Sequence, residues 1–323
     1  MTPAGAVLRE EIRRCGPIPF RRFMEVALYH PEHGYYRRGR DPFGVRGDFY
    51  TAEQIQPVFG ILIAAVVRRL FDELGGPDGF TVVEPGAGRG EMASAFARYC
   101  YVPLEFDCGS MPERFCGVVF ANEFFDALPV HLVRRRDHGF REMLVDCAQE
   151  RFAWVEGQAS GELEEFLHRY GAPAEEGDLL EVNLEALRWL ERIAVALEHG
   201  YVLAIDYGYT AREIIRFPAG SLMSYRRHTA AADVLSEPGL RDLTAHVNFT
   251  ALQEHGAARG LRTVRLESLA QLLLRAGEED NFAAALEAAG EEQALRRRLQ
   301  LKTLLVGMGE TFRALLLARQ GGQ

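Results

Sequence analysis

Lysine is almost absent from this chain. Lys302 is the one lysine, so arginine makes up nearly all of the 37 basic residues. We interpret this bias as the codon usage of a GC-rich genome. Acidic residues number 46, and the net charge of −9 argues against a nucleic-acid or anionic-membrane partner, because such partners are recognised by basic surfaces. A local basic run, Arg134 to Arg136, is expected to be the solvated end of a strand.

Long apolar runs and paired cysteines are also lacking. The best apolar run, from Ile61 to Val67, is far too short to span a bilayer. The chain does not open on a basic, apolar and small-residue leader, so no secretory signal is expected. Its five cysteines include no C-x-x-C pair, which argues against a zinc site and favours reduced thiols in a cytosol. These absences predict a soluble cytoplasmic protein with no membrane insertion and no metal.

What the sequence does contain is an alternation of short buried strands with helices. The predicted elements are buried strands at 80–83, 117–121 and 201–205, hairpin strands within 130–156, and helices within 1–30, at 54–74, 91–98 and 182–198. The chain has 323 residues, of which 48% are hydrophobic, so it can build a sizeable core. Alternating strands and helices predict an α/β fold with a mainly parallel sheet that is covered on both faces.

The most informative stretch is the glycine turn that follows the first predicted strand. Glu84 is followed by Gly86, Gly88 and Gly90, and the predicted helix begins at Glu91. Glycines at such a turn allow positive φ and let a ligand approach the backbone. A dinucleotide-binding fingerprint requires its third glycine three places after the second, where this chain has Glu91. The turn therefore fits a nucleotide-like ligand other than NAD, although an ordinary strand-to-helix turn would also use glycine.

Polar residues also follow the other two predicted buried strands. The three strand-end clusters are Glu84 to Gly90, Asn122 to Pro129, and Asp206 to Tyr209. Ligands of open parallel sheets bind beyond the carboxyl ends of the strands. Loops are polar in any case, which explains one such cluster more easily than three. The clusters therefore predict one common binding edge.

These segments together resemble a known family. Acid-x-G-x-G-x-G resembles motif I of class I S-adenosylmethionine-dependent methyltransferases. Most of the chain resembles the branch of that class whose eukaryotic members serve the assembly of mitochondrial respiratory complex I and methylate an arginine of one of its subunits. The segments that carry the resemblance are 30–36, 47–51, 59–60, 84–90, 121–130, 205–209, 242–250 and 308–312.

The resemblance implies a class I methyltransferase (Rossmann-like) fold that uses S-adenosyl-L-methionine and acts on a protein, such as a respiratory-complex subunit. It implies four segments: an N-terminal helical and lid region at 1–76, the core at 77–210, an inserted helical subdomain at 211–295, and a completing segment at 296–323. The cofactor-binding residues that it implies are Asp48, Thr51, Glu84, Gly86, Gly88, Gly90, Asp107 and Asn122.

An arginine acceptor requires a carboxylate beside its guanidinium, because a bidentate pair orients the group and polarises the attacking nitrogen. Glu123 and Asp126, on the loop after the second strand, are the predicted catalytic residues, with Asn122 shaping the donor side. Their alternative role is to cap the helix that follows. The aromatics Tyr35, Tyr36 and Phe49 are predicted either to cover the cofactor as a lid or to pack in the core.

The chain departs from the family in one place. Residues 99–116 are too few for the further strand and helix that the family carries there, so one short strand is predicted, with Glu105 or Asp107 at its end. The missing strand usually ends in the acid that binds the ribose hydroxyls. We therefore expect weak cofactor affinity. This departure also supports an alternative function, a non-catalytic assembly or binding factor; a NAD-dependent oxidoreductase is the less favoured alternative.

Overall fold

The computed structural model describes residues 2–37, 52–148, 151–171, 173–226, 229–231 and 233–321. Its helices are α1 (Pro3–Cys15), α2 (Phe20–Tyr29), α3 (Val58–Glu73), α4 (Gly161–Tyr170), α5 (Leu184–Ala196), α6 (Phe249–Ala258), α7 (Leu269–Gly277), α8 (Ala283–Leu286) and α9 (Glu291–Lys302). Short 3₁₀ helices occur at Tyr35–Arg37, Ala52–Gln54, Ile214–Arg216 and Glu278–Asp280.

The strands are β1 (Ile18–Pro19), β2 (Thr81–Pro85), β3 (Cys100–Leu104), β4 (Phe115–Asn122), β5 (His131–Arg136), β6 (Gly139–Ala148), β7 (Arg151–Gln158), β8 (Leu179–Val182), β9 (Leu197–Tyr209), β10 (Met223–Arg226), β11 (Thr229–Ala231), β12 (Asp242–Thr244), β13 (Val247–Asn248), β14 (Arg262–Ser268) and β15 (Phe312–Arg319). The three predicted buried strands and the predicted hairpin are thus present.

The chain divides into two compact units, each built from three separate stretches. The first unit comprises Met1–Tyr50, Asp126–Ala186 and Tyr209–Thr250, and the second comprises Thr51–Phe125, Leu187–Gly208 and Ala251–Gln323. The division of the chain into four consecutive segments, which the sequence analysis gave, stays a prediction.

The second unit is built around a sheet with the strand order β3-β2-β4-β9-β15-β14. Strands β3, β2, β4 and β9 are parallel to one another, while β15 is antiparallel to both β9 and β14. Every residue of β2 is buried, and successive side chains of a strand point to opposite faces. Both faces of this sheet are therefore covered, as predicted for a mainly parallel α/β sheet.

Helix α3 covers one face of this sheet because its apolar residues recur at helical spacing. Val58, Leu62, Val66 and Leu70 are among its buried residues and join the core of this unit. The predicted start at Gln54 is wrong by one turn. Pro57 has no N–H to continue a helix from the preceding residues, so α3 begins at Val58 and residues 52–54 form a separate 3₁₀ turn.

The predicted helix over Glu91–Arg98 is also wrong, because the segment forms successive turns. Its hydrogen bonds mostly join residues three apart, as from the Ala93 N–H to the Gly90 carbonyl and from the Tyr99 N–H to the Phe96 carbonyl. Because β2 and β3 are parallel, this segment has to lead the chain back from the end of β2 to the start of β3. That distance is about the length of a five-residue strand, about 16 Å. An α-helix over 91–98 would advance only about 12 Å. Tighter turns with a longer rise per residue cover the distance.

The first unit contains the antiparallel sheet β1-β6-β5-β8, with β7 paired to β6. Helices α1 and α2 supply Leu8, Phe20 and Phe23 to its core, which Val145 of β6 joins. The Thr2 hydroxyl caps α1 by accepting a hydrogen bond from the Gly5 N–H at 3.0 Å. Within the described residues of the whole chain, no helix is long and apolar enough to cross a bilayer.

Candidate functional site

The parallel strands of the second unit bring two of the three predicted clusters to one edge of its sheet, together with the start of the third. Val83 of β2 is in register with Val119 of β4, and Asn122 of β4 is in register with Ile205 of β9. The next residue, Asp206, accepts a hydrogen bond from the Phe125 N–H at 3.3 Å. The rest of the loop after β4, from Asp126, belongs to the first unit, which includes Asp126–Ala186.

The glycine turn after β2 has the backbone that its sequence predicts. Gly86, Gly88 and Gly90 have φ values of 75°, 55° and 73°. A Cβ added to Gly86 would lie 2.9 Å from Cδ2 of Phe124, so a side chain there is excluded by contact as well as by conformation. The Gly86 N–H donates to the Leu104 carbonyl at 2.8 Å, which fixes the turn against the end of β3.

Glu84 lies at the end of β2, just before the glycine turn, and only 1% of its surface is exposed. The Tyr101 hydroxyl donates a hydrogen bond to Oε2 of Glu84 at 2.5 Å. Burial raises the pKa of Glu84 to about 7, against the hydrogen bond from Tyr101, which lowers it. Oε1 of Glu84 has no hydrogen-bond partner within the described part of the chain.

Glu53 is a second buried acid at this place, and the sequence analysis missed it. It lies in the 3₁₀ turn before α3, it is 7% exposed, and its Oε1 has no hydrogen-bond partner within the described part of the chain. Burial, followed by the charges of Glu84 and Glu123, raises the pKa of Glu53 well above its usual range. Its signal in the sequence was weak, since a lone acid before an amphipathic helix is ordinarily a solvated residue.

The loop after β4 is held by hydrogen bonds that its own side chains accept. Glu123 has a positive φ of 50°, and its Oε1 accepts from the Ala52 N–H at 2.9 Å and from Nδ2 of Asn122 at 3.3 Å. Asn122 is 4% exposed, and its Oδ1 lacks a hydrogen-bond partner among the described residues. Glu123 is thus partly occupied by a backbone contact, while Asn122 retains a buried acceptor.

Glu105 lies just past the end of β3, beside the glycine turn. Its Oε1 accepts a hydrogen bond from the Gly88 N–H at 2.8 Å. The prediction that residues 99–116 supply one strand is confirmed, since β3 is followed directly by β4. Because β3 pairs with β2, the carboxyl end of β3 stands next to the glycine turn, and Glu105 occupies the place where a ribose acid is expected. Asp107, two residues further along, is exposed.

The remaining predicted residues are distributed as follows. Asp126, in the first unit, is 5% exposed, and its backbone carbonyl accepts from the Ala245 N–H at 2.9 Å. In the same unit the Tyr36 hydroxyl donates to Asp242 at 2.8 Å, and Tyr35 is buried in the core, which favours packing as the role of Tyr35. Asp48, Phe49 and Thr51 lie outside the described residues.

The side chains at this edge fit S-adenosyl-L-methionine. The cofactor carries an α-ammonium group and ribose hydroxyls, which are hydrogen-bond donors, and a cationic sulfonium. Glu53, Glu84 and Asn122 each offer a buried oxygen without a hydrogen-bond partner within the described part of the chain. Such oxygens are unfavourable unless a donor reaches them. The excess of acceptors therefore matches the donors of this cofactor.

Comparison with known proteins agrees with this geometry. A model of the family described as "Putative S-adenosyl-L-methionine-dependent methyltransferase" matches residues 100–266. A candidate methyl transferase from Burkholderia thailandensis, solved bound to S-adenosyl-homocysteine, is 31% identical with a TM-score of 0.88, and the match covers 98% of this chain and 92% of that one.

Curated relatives also match, at lower identity. The mitochondrial protein arginine methyltransferase NDUFAF7 of Bos taurus is 27% identical over 98% of this chain and 83% of its own length. Its homolog in Drosophila melanogaster is 29% identical over 78% of this chain and 70% of its own length. The match to the cattle protein extends along nearly the whole chain.

Proposed function

This chain belongs to the family of S-adenosyl-L-methionine-dependent methyltransferases, and we propose that it methylates an arginine side chain of a protein. The observation that carries the cofactor part is the set of buried oxygens on Glu53, Glu84 and Asn122 that lack a hydrogen-bond partner among the described residues. The arginine part is supported by the names of the relatives, which are protein arginine methyltransferases.

The cofactor supplies an electrophilic methyl group on its sulfonium. The protein's residues have to bind and orient the two reactants and exclude water, because the displacement itself is in line. In our proposal Glu84 and Asn122 bind the amino-acid end of the cofactor, the glycine turn admits it against the backbone, and Glu105 binds the ribose hydroxyls. Glu123 and Asp126 would pair with the guanidinium and orient its attacking nitrogen.

Calorimetry tests the cofactor part and separates the alternatives. We expect S-adenosyl-L-methionine and S-adenosylhomocysteine to bind and NAD not to bind. Binding of NAD alone would favour the oxidoreductase, and binding of neither would favour an assembly factor without catalysis. Methyl transfer is then tested with isotopically labelled cofactor and protein extract, followed by hydrolysis. Label in methylarginine is the expected result, and label confined to another amino acid would contradict the arginine assignment.

The acceptor and the location are part of the same proposal. The resemblance supports a respiratory-complex subunit as the acceptor, and the acidic composition and reduced cysteines support a cytoplasmic location. Cell fractionation tests the location. Comparison of arginine methylation on respiratory subunits between wild-type and deletion cells tests the acceptor, and unchanged methylation in the deletion would contradict it.

A further inference from the structure

Helix α9 and the π-helical segment that follows it, Thr303–Met308, expose a row of apolar side chains. Seven large apolar residues are exposed in the described part of the chain, and three of them lie here: Leu295, Leu299 and Val306, at 58%, 54% and 70%. The other four belong to four separate elements. Single exposed apolar residues need no explanation, but a concentration of them marks a surface that a partner can cover.

The spacing of this row is that of a seam that binds another helix. Leu295, Leu299, Lys302 and Val306 follow one another at intervals of four, three and four residues, as the a and d positions of a heptad repeat do. A turn of π-helix takes about four residues, so Val306 stays close to the row. Lys302 is exposed, whereas Leu304, on the opposite side, is buried in the core of the second unit. We call the four residues in the row the α9 seam.

The charged residues that flank the α9 seam are basic. Arg296 and Arg298 occupy the e and g positions of the same heptad, and both are exposed. Neither arginine forms an ion pair within the described residues, and the same holds for Lys302. The chain as a whole carries a net charge of −9, so this basic surface is a local feature. Its complement is an apolar row that is flanked by acidic side chains.

Two other occupants match the α9 seam less well. A second copy of the seam would bring Arg296 and Arg298 against the same arginines, and like charges at these positions disfavour pairing. A membrane surface is bound by a broad apolar face, often with aromatic residues. Here the row consists of three aliphatic side chains and Lys302. An amphipathic helix of another protein, with acidic flanks, satisfies both the spacing and the charge.

Helix α9 is also linked to the segments that carry the candidate cofactor site in the second unit. The Gln300 side chain donates a hydrogen bond to the Gln56 carbonyl, and Nε2 of Gln56 donates one to Sδ of Met92 at 3.4 Å. Gln56 follows the 3₁₀ turn that contains Glu53, and Met92 follows the glycine turn. A protein that docks on α9 is therefore held at the same unit as the proposed methyl donor.

We propose that the α9 seam binds an amphipathic helix of the methyl-acceptor protein, and that this helix carries an apolar row with acidic residues on both sides. The inference rests on the proposed function and adds to it a docking surface outside the reacting groups. The seam spans residues 295–306, fewer than two heptads, so the contact is small and reversible. An acidic residue of the partner opposite Lys302 sets the register of the two helices.

Two synthetic peptides of about three heptads test the chemistry of the seam. Both have leucine at a and d and alanine or glutamine at b, c and f. One has glutamate at e and g, and the other has lysine there. Fluorescence anisotropy measures their binding to the unmodified protein. The glutamate peptide should bind at least about tenfold more tightly than the lysine peptide, and equal binding of the two would overturn the proposal.

Substitutions assign the binding to the α9 seam. Leu299→Glu puts a negative charge in the row and should weaken the glutamate peptide by at least about tenfold. The double change Arg296→Glu and Arg298→Glu should reverse the preference, so that the lysine peptide binds more tightly. Val195→Glu is the matched control, because Val195 of α5 is 79% exposed and belongs to the same unit. It should leave both affinities unchanged.

Methyl transfer connects the seam with the acceptor protein. With labelled cofactor and protein extract, Leu299→Glu should lower the initial rate of label transfer about tenfold and leave the affinity for S-adenosylhomocysteine unchanged. The glutamate peptide should inhibit transfer by wild type, and the lysine peptide should not. If wild type transfers no label, the proposed function fails and the inference fails with it. If wild type transfers label but neither Leu299→Glu nor the glutamate peptide slows transfer, the inference alone is overturned.

Two further results would assign the α9 seam to another occupant and overturn the proposal. The first is binding of wild type to vesicles of phosphatidylcholine and phosphatidylserine that Leu299→Glu abolishes. The second is a dimer in analytical ultracentrifugation that Leu299→Glu dissociates and Val195→Glu does not. We expect wild type to remain off such vesicles and to sediment alike in all three forms.

Discussion

The loops after β2 and β4 look alike in the sequence but differ in how their polar groups are satisfied. Each follows a buried parallel strand that has a glutamate at or next to its carboxyl end. At the end of β2, Glu84 is buried with an oxygen that lacks a partner within the described residues. After β4, the glutamate at the same kind of position, Glu123, accepts hydrogen bonds from the Ala52 N–H and from Asn122. The end of β2 thus leaves a buried carboxylate oxygen for a donor-rich ligand, while Oε1 of Glu123 is occupied by the backbone N–H of Ala52 and by the side chain of Asn122.

This difference shows why acidic residues at strand ends cannot all be given one role. Unsatisfied buried acceptors are unfavourable in a folded protein unless a ligand completes them. A satisfied acceptor stabilises the fold and has less capacity left for a substrate. The comparison supports the proposal that the cofactor binds at the end of β2, and the acceptor role of Glu123 stays a prediction.

The largest expected effect tests the loop after β4. Glu123→Gln and Asp126→Asn keep the shape of each side chain, and Gln can still accept from the Ala52 N–H. If the two carboxylates hold the guanidinium, each change should reduce methyl transfer by about a thousandfold and leave cofactor affinity nearly unchanged. Kinetics and calorimetry measure the two effects separately. An equal loss of cofactor affinity would move these residues to the donor side of the site.

Gly88→Val should weaken cofactor binding by at least about a hundredfold, because Gly88 has a positive φ of 55° and lies on the turn that we propose admits the ligand. Gly79→Val is the matched control. Gly79 has a φ of 69° in the turn before β2, where an added Cβ would meet nothing within 4 Å. Both variants bear similar backbone strain. An unchanged cofactor affinity in a folded Gly88→Val protein would refute the motif I assignment.

Glu105→Gln should weaken S-adenosylhomocysteine about tenfold, since a charge-assisted hydrogen bond to the ribose would be lost. Asp107→Asn is the comparison, because the exposed Asp107 was the sequence-based candidate for this part of the site. The structure favours Glu105, whose Oε1 accepts from the Gly88 N–H. A larger loss in Asp107→Asn than in Glu105→Gln would reverse this assignment.

The smallest expected effect concerns pH. The hydrogen bond from Tyr101 lowers the pKa of Glu84, which burial raises to about 7. Tyr101→Phe should therefore raise the pKa of Glu84 further, so that ionisation and cofactor binding require a higher pH. At pH 7 the affinity for S-adenosylhomocysteine should fall about threefold, and the fall should disappear at pH 9.

Tyr201→Phe is its control. It removes a tyrosine–glutamate hydrogen bond of 2.9 Å to Glu73, and it should leave the pH dependence of cofactor binding as in wild type. A pH profile of Tyr101→Phe that coincides with that of wild type would show that Glu84 does not govern binding.

Sequence reasoning predicted the parts of the fold that depend on local pattern. The buried strands and the buried face of α3 follow from the periodicity of apolar residues. The glycine turn follows from the conformational freedom of glycine. The helix over Glu91–Arg98 was predicted wrongly because helix propensity takes no account of the distance that the segment must span. Glu53 was missed because its burial depends on residues far away in the chain. Glu105 and Asp107 could be told apart only once β3 was placed beside β2.

The most direct test of the central claim is a crystal structure of this protein with S-adenosylhomocysteine. The predicted result places the α-ammonium group within hydrogen-bond distance of Glu84 and Asn122, with the ribose hydroxyls on Glu105 and the homocysteine part against the glycine turn. A ligand whose ammonium is bound elsewhere, while Glu84 is hydrogen-bonded only to Tyr101, would contradict it.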